Sequence, residues 1–168
     1  VGPRDAALSL ARERLDADDV ALLATSLVRH PTLRTLDLRD SRVGPRELRY
    51  LAQRGLAVNG SVTRLDLSLN RVAEGHDDDA IFRERAVEGV AALARVLAAP
   101  ASRLATLGLA WCQLGSDGLA PLVADGLCAA RRRGSLPRES LALSHTCLDD
   151  RAALLLARFF ETAPARGA

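Results

Sequence analysis

Histidine and serine side chains are the first candidates for catalysis in this chain, but their spacing does not assemble an active site. His30 and His145 lie far apart, and Ser144 beside His145 lacks the acidic partner of a catalytic triad. No GxSxG or HExxH motif occurs, and there is no phosphate-binding GxxxxGK segment. His76 stands beside three aspartates without the fixed ligand spacing of a metal site. The sequence therefore predicts a protein that is not an enzyme and that holds neither metal nor cofactor.

Cysteines and apolar stretches indicate the environment of the chain. Cys112, Cys128 and Cys147 form an odd set without CxxC spacing, which favours neither a disulfide framework nor a zinc site. We therefore expect an intracellular, cytoplasmic location. Charged residues interrupt every apolar stretch before it reaches the roughly 20 residues that span a bilayer, so no membrane segment is expected.

Three consecutive arginines, 131–133, form the most basic run of the sequence. Such a run could attract phosphate or an acidic protein. The net charge of the chain is only +2 and aromatic residues make up 3%, so nucleic-acid binding is not expected. The alternative is that these cations complement the dipole at the C-terminus of a helix.

The elements that position these residues follow from composition and an internal repeat. Of the 168 residues, 48% are apolar and few are aromatic, so leucine, valine and alanine must build the core. Leucines recur in LxL segments, whose alternation is typical of a short strand with one buried face. Apolar residues at helical spacing follow each segment. The LxL segments end at Leu10, Leu38, Leu67, Leu109 and Leu143.

Two copies of the repeat, in full, read Leu33-x-x-Leu36-x-Leu38-x-x-Ser41-x-Val43 and Val62-x-x-Leu65-x-Leu67-x-x-Asn70-x-Val72. The pattern resembles the leucine-rich repeat family, in its long ribonuclease-inhibitor-like type with a helix in every repeat. The resemblance implies an α/β horseshoe-shaped solenoid of about five strand–helix repeats, with a parallel sheet on the concave face and helices on the convex face. It implies a single domain over 1–168, with repeats near 5–32, 33–61, 62–103, 104–137 and 138–168. Because the sequence lacks an initiator methionine, we also expect a fragment of a longer protein.

The position after LxLxx has a structural role in that family, where Asn or Cys bonds the backbone as the chain leaves the strand. Asn70 and Cys112 match this pattern, and Thr146 is compatible with it. Ser41 and the longer, charged Glu13 depart from it. The resemblance therefore implies an atypical first repeat.

The repeat spacing is interrupted after the third LxL segment. Successive LxL ends are 28, 29, 42 and 34 residues apart, so about 13 extra residues (42 minus 29) fall in the segment 73–89. This insertion contains Asp77, Asp78 and Asp79. One interpretation is an acidic protrusion that contacts a basic partner or a cation. The other is a solvated loop that runs into a lengthened helix.

Residues between the buried leucines are expected on the exposed, concave face of the sheet, because strand side chains alternate. In the first half of that face, four charged residues can pair across neighbouring strands. In the second half, small residues form a floor. The charged residues are Asp37, Arg39, Arg64 and Asp66, and the floor consists of Gly108, Ala110, Ala142 and Ser144.

Leu69, Trp111 and His145 occupy one further position of the repeat, at the end of the strand. Exposed apolar clusters rimmed by charge mark binding surfaces, and Trp is enriched at interface hot spots. These three residues therefore predict a partner-docking patch. The alternative is that Trp111 folds over the rim and packs under the insertion. Phe159 and Phe160, by contrast, are expected to close the core.

These patterns predict a protein–protein interaction scaffold that recognises its partner through the concave sheet and the rim. The partner would be another protein or another region of the same larger protein. Some ribonuclease-inhibitor-like proteins are GTPase activators, so the resemblance also implies a regulatory alternative in which Arg39 or Arg42 at a strand exit stabilises a transferring phosphoryl group. A further alternative is the ligand-sensing part of a larger receptor.

Overall fold

A computed structural model describes residues 6–72, 80–132 and 140–161, except for the side chains of residues 80–86. His76, Asp77, Asp78, Asp79 and Arg133 lie outside the described residues. The acidic protrusion therefore stays a prediction.

Five short parallel strands form one sheet in the order β1-β2-β3-β4-β5. This mixed α/β arrangement with an all-parallel sheet confirms the coarse fold prediction. None of the helices described is long and apolar enough to cross a membrane. The strands are β1 (Ala6–Ser9), β2 (Leu33–Asp37), β3 (Arg64–Asp66), β4 (Thr106–Gly108) and β5 (Ser140–Ala142).

Helical segments follow the strands in a repeat-like alternation. Two π-helical segments, Leu51–Leu56 after α2 and Leu122–Leu127 between α4 and α5, lengthen the helical runs of their repeats. The α-helices are α1 (Ala17–Arg29), α2 (Pro45–Tyr50), α3 (Ala80–Ala98), α4 (Gly115–Pro121), α5 (Cys128–Arg132) and α6 (Asp150–Glu161).

The LxL register sets the alignment of the strands. Leu36 lies opposite Leu8 on one side and Leu65 on the other, and the same column continues through Leu107 and Leu141. In the three inner strands these leucines are almost completely buried. They pack with the apolar faces of the helices into one core. Side chains between them must therefore face away from the core, as the alternation predicts.

The first helix shows how local sequence fixes an element. Asp16 caps α1, since one carboxylate oxygen accepts hydrogen bonds of 2.9 Å from the backbone N–H groups of both Asp18 and Asp19. The Asp19 carboxylate accepts a 3.1 Å bond from the Asp16 backbone N–H, which completes a capping box. Apolar residues three or four apart, including Val20 and Leu27, then bury one face of the helix.

The described part of the insertion is helical. Residues 80–89 belong to α3, which is 19 residues long compared with 13 in α1. This supports the interpretation of a lengthened helix for that part of the segment. Glu88 pairs with Arg49 of α2 across a 2.8 Å salt bridge. At least this acidic residue of the insertion therefore serves contact between neighbouring helices.

The last helix confirms one prediction and contradicts another. Phe159 is buried, and the Arg131 guanidinium lies 3.6 Å from the centre of its ring. Phe160 is 67% exposed, so the prediction that it closes the core is wrong. Neighbouring helical residues point about 100° apart, and in α6 the core-facing side contains Phe159 while Phe160 points to solvent. Arg131 and Arg132 lie in the last turn of α5, as expected for cations that complement a helix dipole.

Candidate functional site

The site is built on the turn by which the chain leaves each strand. At one repeat position in this turn, five residues other than glycine adopt a left-handed backbone, which costs roughly 1–2 kcal/mol for each L-residue. Their backbone amides continue the ladder between neighbouring turns: Leu69 N–H donates to the Ala110 carbonyl and Trp111 N–H to the Ser144 carbonyl, both at 2.8 Å. The five residues are Arg12 (φ 65°), Asp40 (φ 53°), Leu69 (φ 63°), Trp111 (φ 60°) and His145 (φ 55°).

A buried polar side chain lies beneath each turn from β2 to β5. Asn70, with 1% of its surface exposed, is the most extensively bonded. Its Oδ1 accepts from the backbone N–H groups of Ser41 (3.0 Å) and Val43 (2.9 Å). Its Nδ2 donates to the Leu38 (2.6 Å) and Leu67 (2.9 Å) carbonyls. Asn70 thus ties the exits of β2 and β3 together.

We call Ser41, Asn70, Cys112 and Thr146 the buried row, and its other three members make fewer hydrogen bonds to the backbone than Asn70. Cys112 donates its S–H to the Leu67 carbonyl at 3.1 Å, and Thr146 donates to the Leu143 carbonyl at 2.8 Å. Ser41 is neither Asn nor Cys, yet it is fully buried and its hydroxyl donates to the Leu10 carbonyl at 2.7 Å. Small hydroxyl and thiol groups therefore substitute for asparagine at the strand exit. Burial raises the pKa of the Cys112 thiol to about 11.

Above the buried row, Leu69, Trp111 and His145 form an exposed line that we call the rim row. The Trp111 and His145 rings are stacked, with centroids 3.9 Å apart and planes inclined by 15°. Leu69 is 52% exposed and Trp111 is 55% exposed. Trp111 is thus exposed rather than buried, contrary to the alternative interpretation, and its docking role stays a prediction.

A charged cluster occupies the exposed face of the sheet beside the rim row. The Arg39 guanidinium donates to both carboxylate oxygens of Asp37, at 3.0 and 2.8 Å, and its Nε lies 3.6 Å from Asp66 Oδ2. The hydrogen bonds from Arg39 hold the pKa of the Asp37 carboxyl below its usual value against the opposing effect of partial burial, and they raise the pKa of Arg39. A contact between neighbouring repeats, of the kind predicted among the four charged residues, is thus present between Arg39 and Asp66, but the tighter pair joins Arg39 to Asp37 of the same repeat.

Gly108 makes room for the Asp66 carboxylate. The two residues are direct neighbours on β3 and β4, as the repeat columns predict. A Cβ at Gly108 would collide with Asp66 Oδ1. That oxygen accepts a 2.9 Å bond from the Ser68 backbone N–H, which fixes its orientation. Arg64 lines the same shallow hollow of about 320 Å³ together with Asp37 and Asp66.

A second hollow, of about 560 Å³, lies at the rim beside Leu69 and was not predicted from the sequence. We call it the rim pocket; Asp40, Arg42, Leu69 and Arg71 are among the residues that line it. The repeat register places Arg42 and Arg71 at equivalent positions, because each stands four residues after the end of an LxL segment, and it could have predicted this basic pair.

The structure therefore brings the predicted site residues into two adjacent groups. Asp37, Arg39 and Asp66 share the charged cluster with Arg64 at its edge, and Leu69, Trp111 and His145 share the rim row. Among the residues described, no three His, Cys, Asp or Glu side chains are placed to hold a metal ion. Neither a scan against protein-family models nor a search of curated proteins found a match to this chain.

Proposed function

We propose that this chain is a leucine-rich repeat module, an α/β solenoid that recognises another protein through its concave sheet and the rim row. The support for the family is the column of leucines in register across five parallel strands. The buried Asn70 and Cys112, bonded to backbone at the strand exits, support it further. Stacked units of this kind bury their leucines only against their neighbours and leave the strand face open for binding.

The observation that carries the binding proposal is that Leu69 and Trp111 share two features unfavourable to the stability of the isolated chain. Each combines a left-handed backbone with a side chain more than half exposed. Glycine or asparagine would occupy such a turn with less strain, and a polar side chain would suit the exposure. Residues that are unfavourable to the isolated fold on both counts are expected where they contact a partner.

The GTPase-activating alternative has less support in the geometry of Arg39. Its guanidinium is already engaged by both oxygens of Asp37, whereas an arginine that stabilises a transferring phosphoryl group must direct its donors at the nucleotide. Arg42, which is exposed at the rim, is the better candidate for that role. Stimulation of GTP hydrolysis that is lost in Arg42→Ala would favour the alternative. The receptor alternative and the cytoplasmic location remain predictions.

Comparative affinity capture tests the binding proposal. The full chain is immobilised as wild type, as Leu69→Ala/Trp111→Ala and as Leu22→Ala/Val28→Ala, the last removing two exposed apolar residues from α1. We expect proteins retained by the wild type to be lost from the rim variant and kept by the α1 variant, with all three chains giving the same circular dichroism spectrum. Equal retention by the two double variants would refute the proposed role of the rim row.

A further inference from the structure

His145 and Trp111 occupy the same repeat position in neighbouring turns. Both residues have a left-handed backbone, with φ of 55° and 60°. The Trp111 backbone N–H donates to the Ser144 carbonyl at 2.8 Å, which fixes the Trp111 turn against the turn that contains His145. The two side chains therefore leave equivalent backbone positions side by side, and their rings lie face to face.

The stack covers one face of the Trp111 indole. The ring centroids are 3.9 Å apart and the planes are inclined by only 15°, so the His145 imidazole lies flat on the indole. Leu69 and His145 flank Trp111 on opposite sides of the rim row, and the other indole face is therefore turned toward Leu69. Trp111 nevertheless remains 55% exposed, so this second face and the ring edges provide its contact area.

The imidazole restricts the motion of the indole. Exposed side chains exchange rotamers within picoseconds to nanoseconds, and a partner must stop this motion when it binds. A stacked aromatic pair is stabilised beyond the area that it buries, so the stacked orientation of the indole is preferred over the others. Below His145, the buried Thr146 donates to the Leu143 carbonyl at 2.8 Å. His145 is therefore held by the fold and not by Trp111 alone.

We propose that His145 is a positioning residue for the partner site: it holds the Trp111 indole in one orientation before a partner binds, and the partner contacts the indole face turned toward Leu69. This inference rests on the proposed function and assigns different roles to two residues of the same row. Its consequence is that position 145 requires an aromatic ring and not the polar nitrogen atoms of histidine. A direct polar contact between His145 and the partner predicts the opposite.

Substitutions at position 145 separate the ring from the polar atoms. His145→Phe keeps a ring that can stack and removes both nitrogen atoms. His145→Asn keeps a polar side chain, removes the ring and suits the positive φ, so the turn should stay folded. His145→Gly is a second variant without a ring that suits this backbone. As the control, Arg12→Asn introduces asparagine at the equivalent exposed position of the first turn. Circular dichroism and urea unfolding check that each variant is folded.

The first readout is the order of the indole in the full chain without a partner. Trp111 is the only tryptophan of the sequence, so all indole emission reports on it. We expect His145→Asn to increase the nanosecond loss of fluorescence anisotropy. It should also raise the rate of acrylamide quenching about twofold, because the covered face of the ring becomes accessible. His145→Phe and Arg12→Asn should match the wild type.

The second readout is the binding of a defined peptide. The probe is a fluorescein-labelled peptide that is selected from a phage-displayed library on the wild-type chain and that binds more than tenfold more weakly to Trp111→Ala. Its dissociation constant should rise roughly three- to tenfold in His145→Asn, because the indole must then be ordered on binding. In His145→Phe and Arg12→Asn it should stay within about 1.5-fold of the wild-type value.

Two results would overturn the inference and leave the proposed function intact. One is loss of peptide binding in His145→Phe with retention in His145→Asn, since His145 would then be a direct polar contact. The other is unchanged anisotropy and quenching in both variants without a ring, because the indole would then be ordered without the stack. If the library yields no peptide whose binding depends on Trp111, the proposed function is rejected, and this inference with it.

Discussion

Replacing Asn70 by alanine should destabilise the chain more than any other single change in the buried row. The Asn70 side chain is 1% exposed and makes two hydrogen bonds to backbone N–H groups and two to the carbonyls of Leu38 and Leu67. Alanine removes these four and a longer bond of 3.3 Å to the Ser68 carbonyl, and it leaves the amides of Ser41 and Val43 without this acceptor in a buried turn. The loss of stability therefore comes mainly from backbone groups left without a hydrogen-bond partner.

Its magnitude follows from the number of bonds. At about 1 kcal/mol for each, four lost bonds lower the free energy of unfolding by about 4 kcal/mol. Native domains are stable by only about 5–15 kcal/mol, so this is a large fraction of the total. For a chain of this size the expected fall in melting temperature is roughly 8–16 °C. Thr146→Ala removes one bond from an equally buried residue and should cost about 1 kcal/mol.

Urea unfolding followed by circular dichroism measures both variants against the wild type. Equal dependence of the unfolding free energy on urea concentration would show that the compactness of the two states is unchanged. The reasoning fails if Asn70→Ala costs no more than Thr146→Ala. In that case water would have to replace the amide, and the exits of β2 and β3 would not depend on Asn70.

Three further changes examine the surroundings of the site. Leu69→Asn should leave the free energy of unfolding unchanged to within about 0.5 kcal/mol or raise it, because relief of the positive φ offsets lost contacts. Partner capture should fall. A loss of stability above about 1 kcal/mol in urea unfolding would instead indicate a packing role for Leu69. Gly108→Ala should lower stability by about 1–3 kcal/mol in the same assay, because the new methyl group collides with the Asp66 carboxylate. An unchanged stability would show that this carboxylate moves aside freely. At neutral pH iodoacetamide should label the exposed Cys147 and spare Cys112, because the buried Cys112 thiol has its pKa raised to about 11. Peptide mapping by mass spectrometry measures the labelling. Equal labelling of the two cysteines would contradict the burial of Cys112.

The strand register could be predicted because it depends on a local, periodic signal. One LxL segment per repeat identifies the buried column, and alternation places Asp37, Asp66 and Gly108 in the neighbouring column. The same register placed Leu69 beside Trp111 in the next turn. Periodicity therefore predicted which residues are neighbours across the sheet.

The details of the site depend on backbone geometry and side-chain choices that periodicity does not encode. Nothing in the residue types of Leu69 or Trp111 signals a positive φ, since that conformation is typical of Gly, Asn and Asp. Arg39 has a carboxylate in its own repeat and another in the next, and the sequence could not decide which it would bind more tightly. Phe160 was placed in the core because hydrophobicity alone does not determine which face of α6 a residue occupies.

The buried row and the rim row have different roles within the same turn: the first stabilises the turn, and the second is exposed to a partner. Asn70 and its counterparts satisfy the backbone groups of the strand exit, and by doing so they hold the adjacent residue at positive φ. Four bonds of about 1 kcal/mol at Asn70 exceed the roughly 1–2 kcal/mol cost of one left-handed residue, so the turn does not need a glycine there. The rim position next to Asn70 consequently tolerates leucine without loss of the fold. Partner specificity is thus expected to be changeable by substitutions in the rim row alone, whereas substitutions in the buried row should abolish binding only by unfolding the turn that presents it.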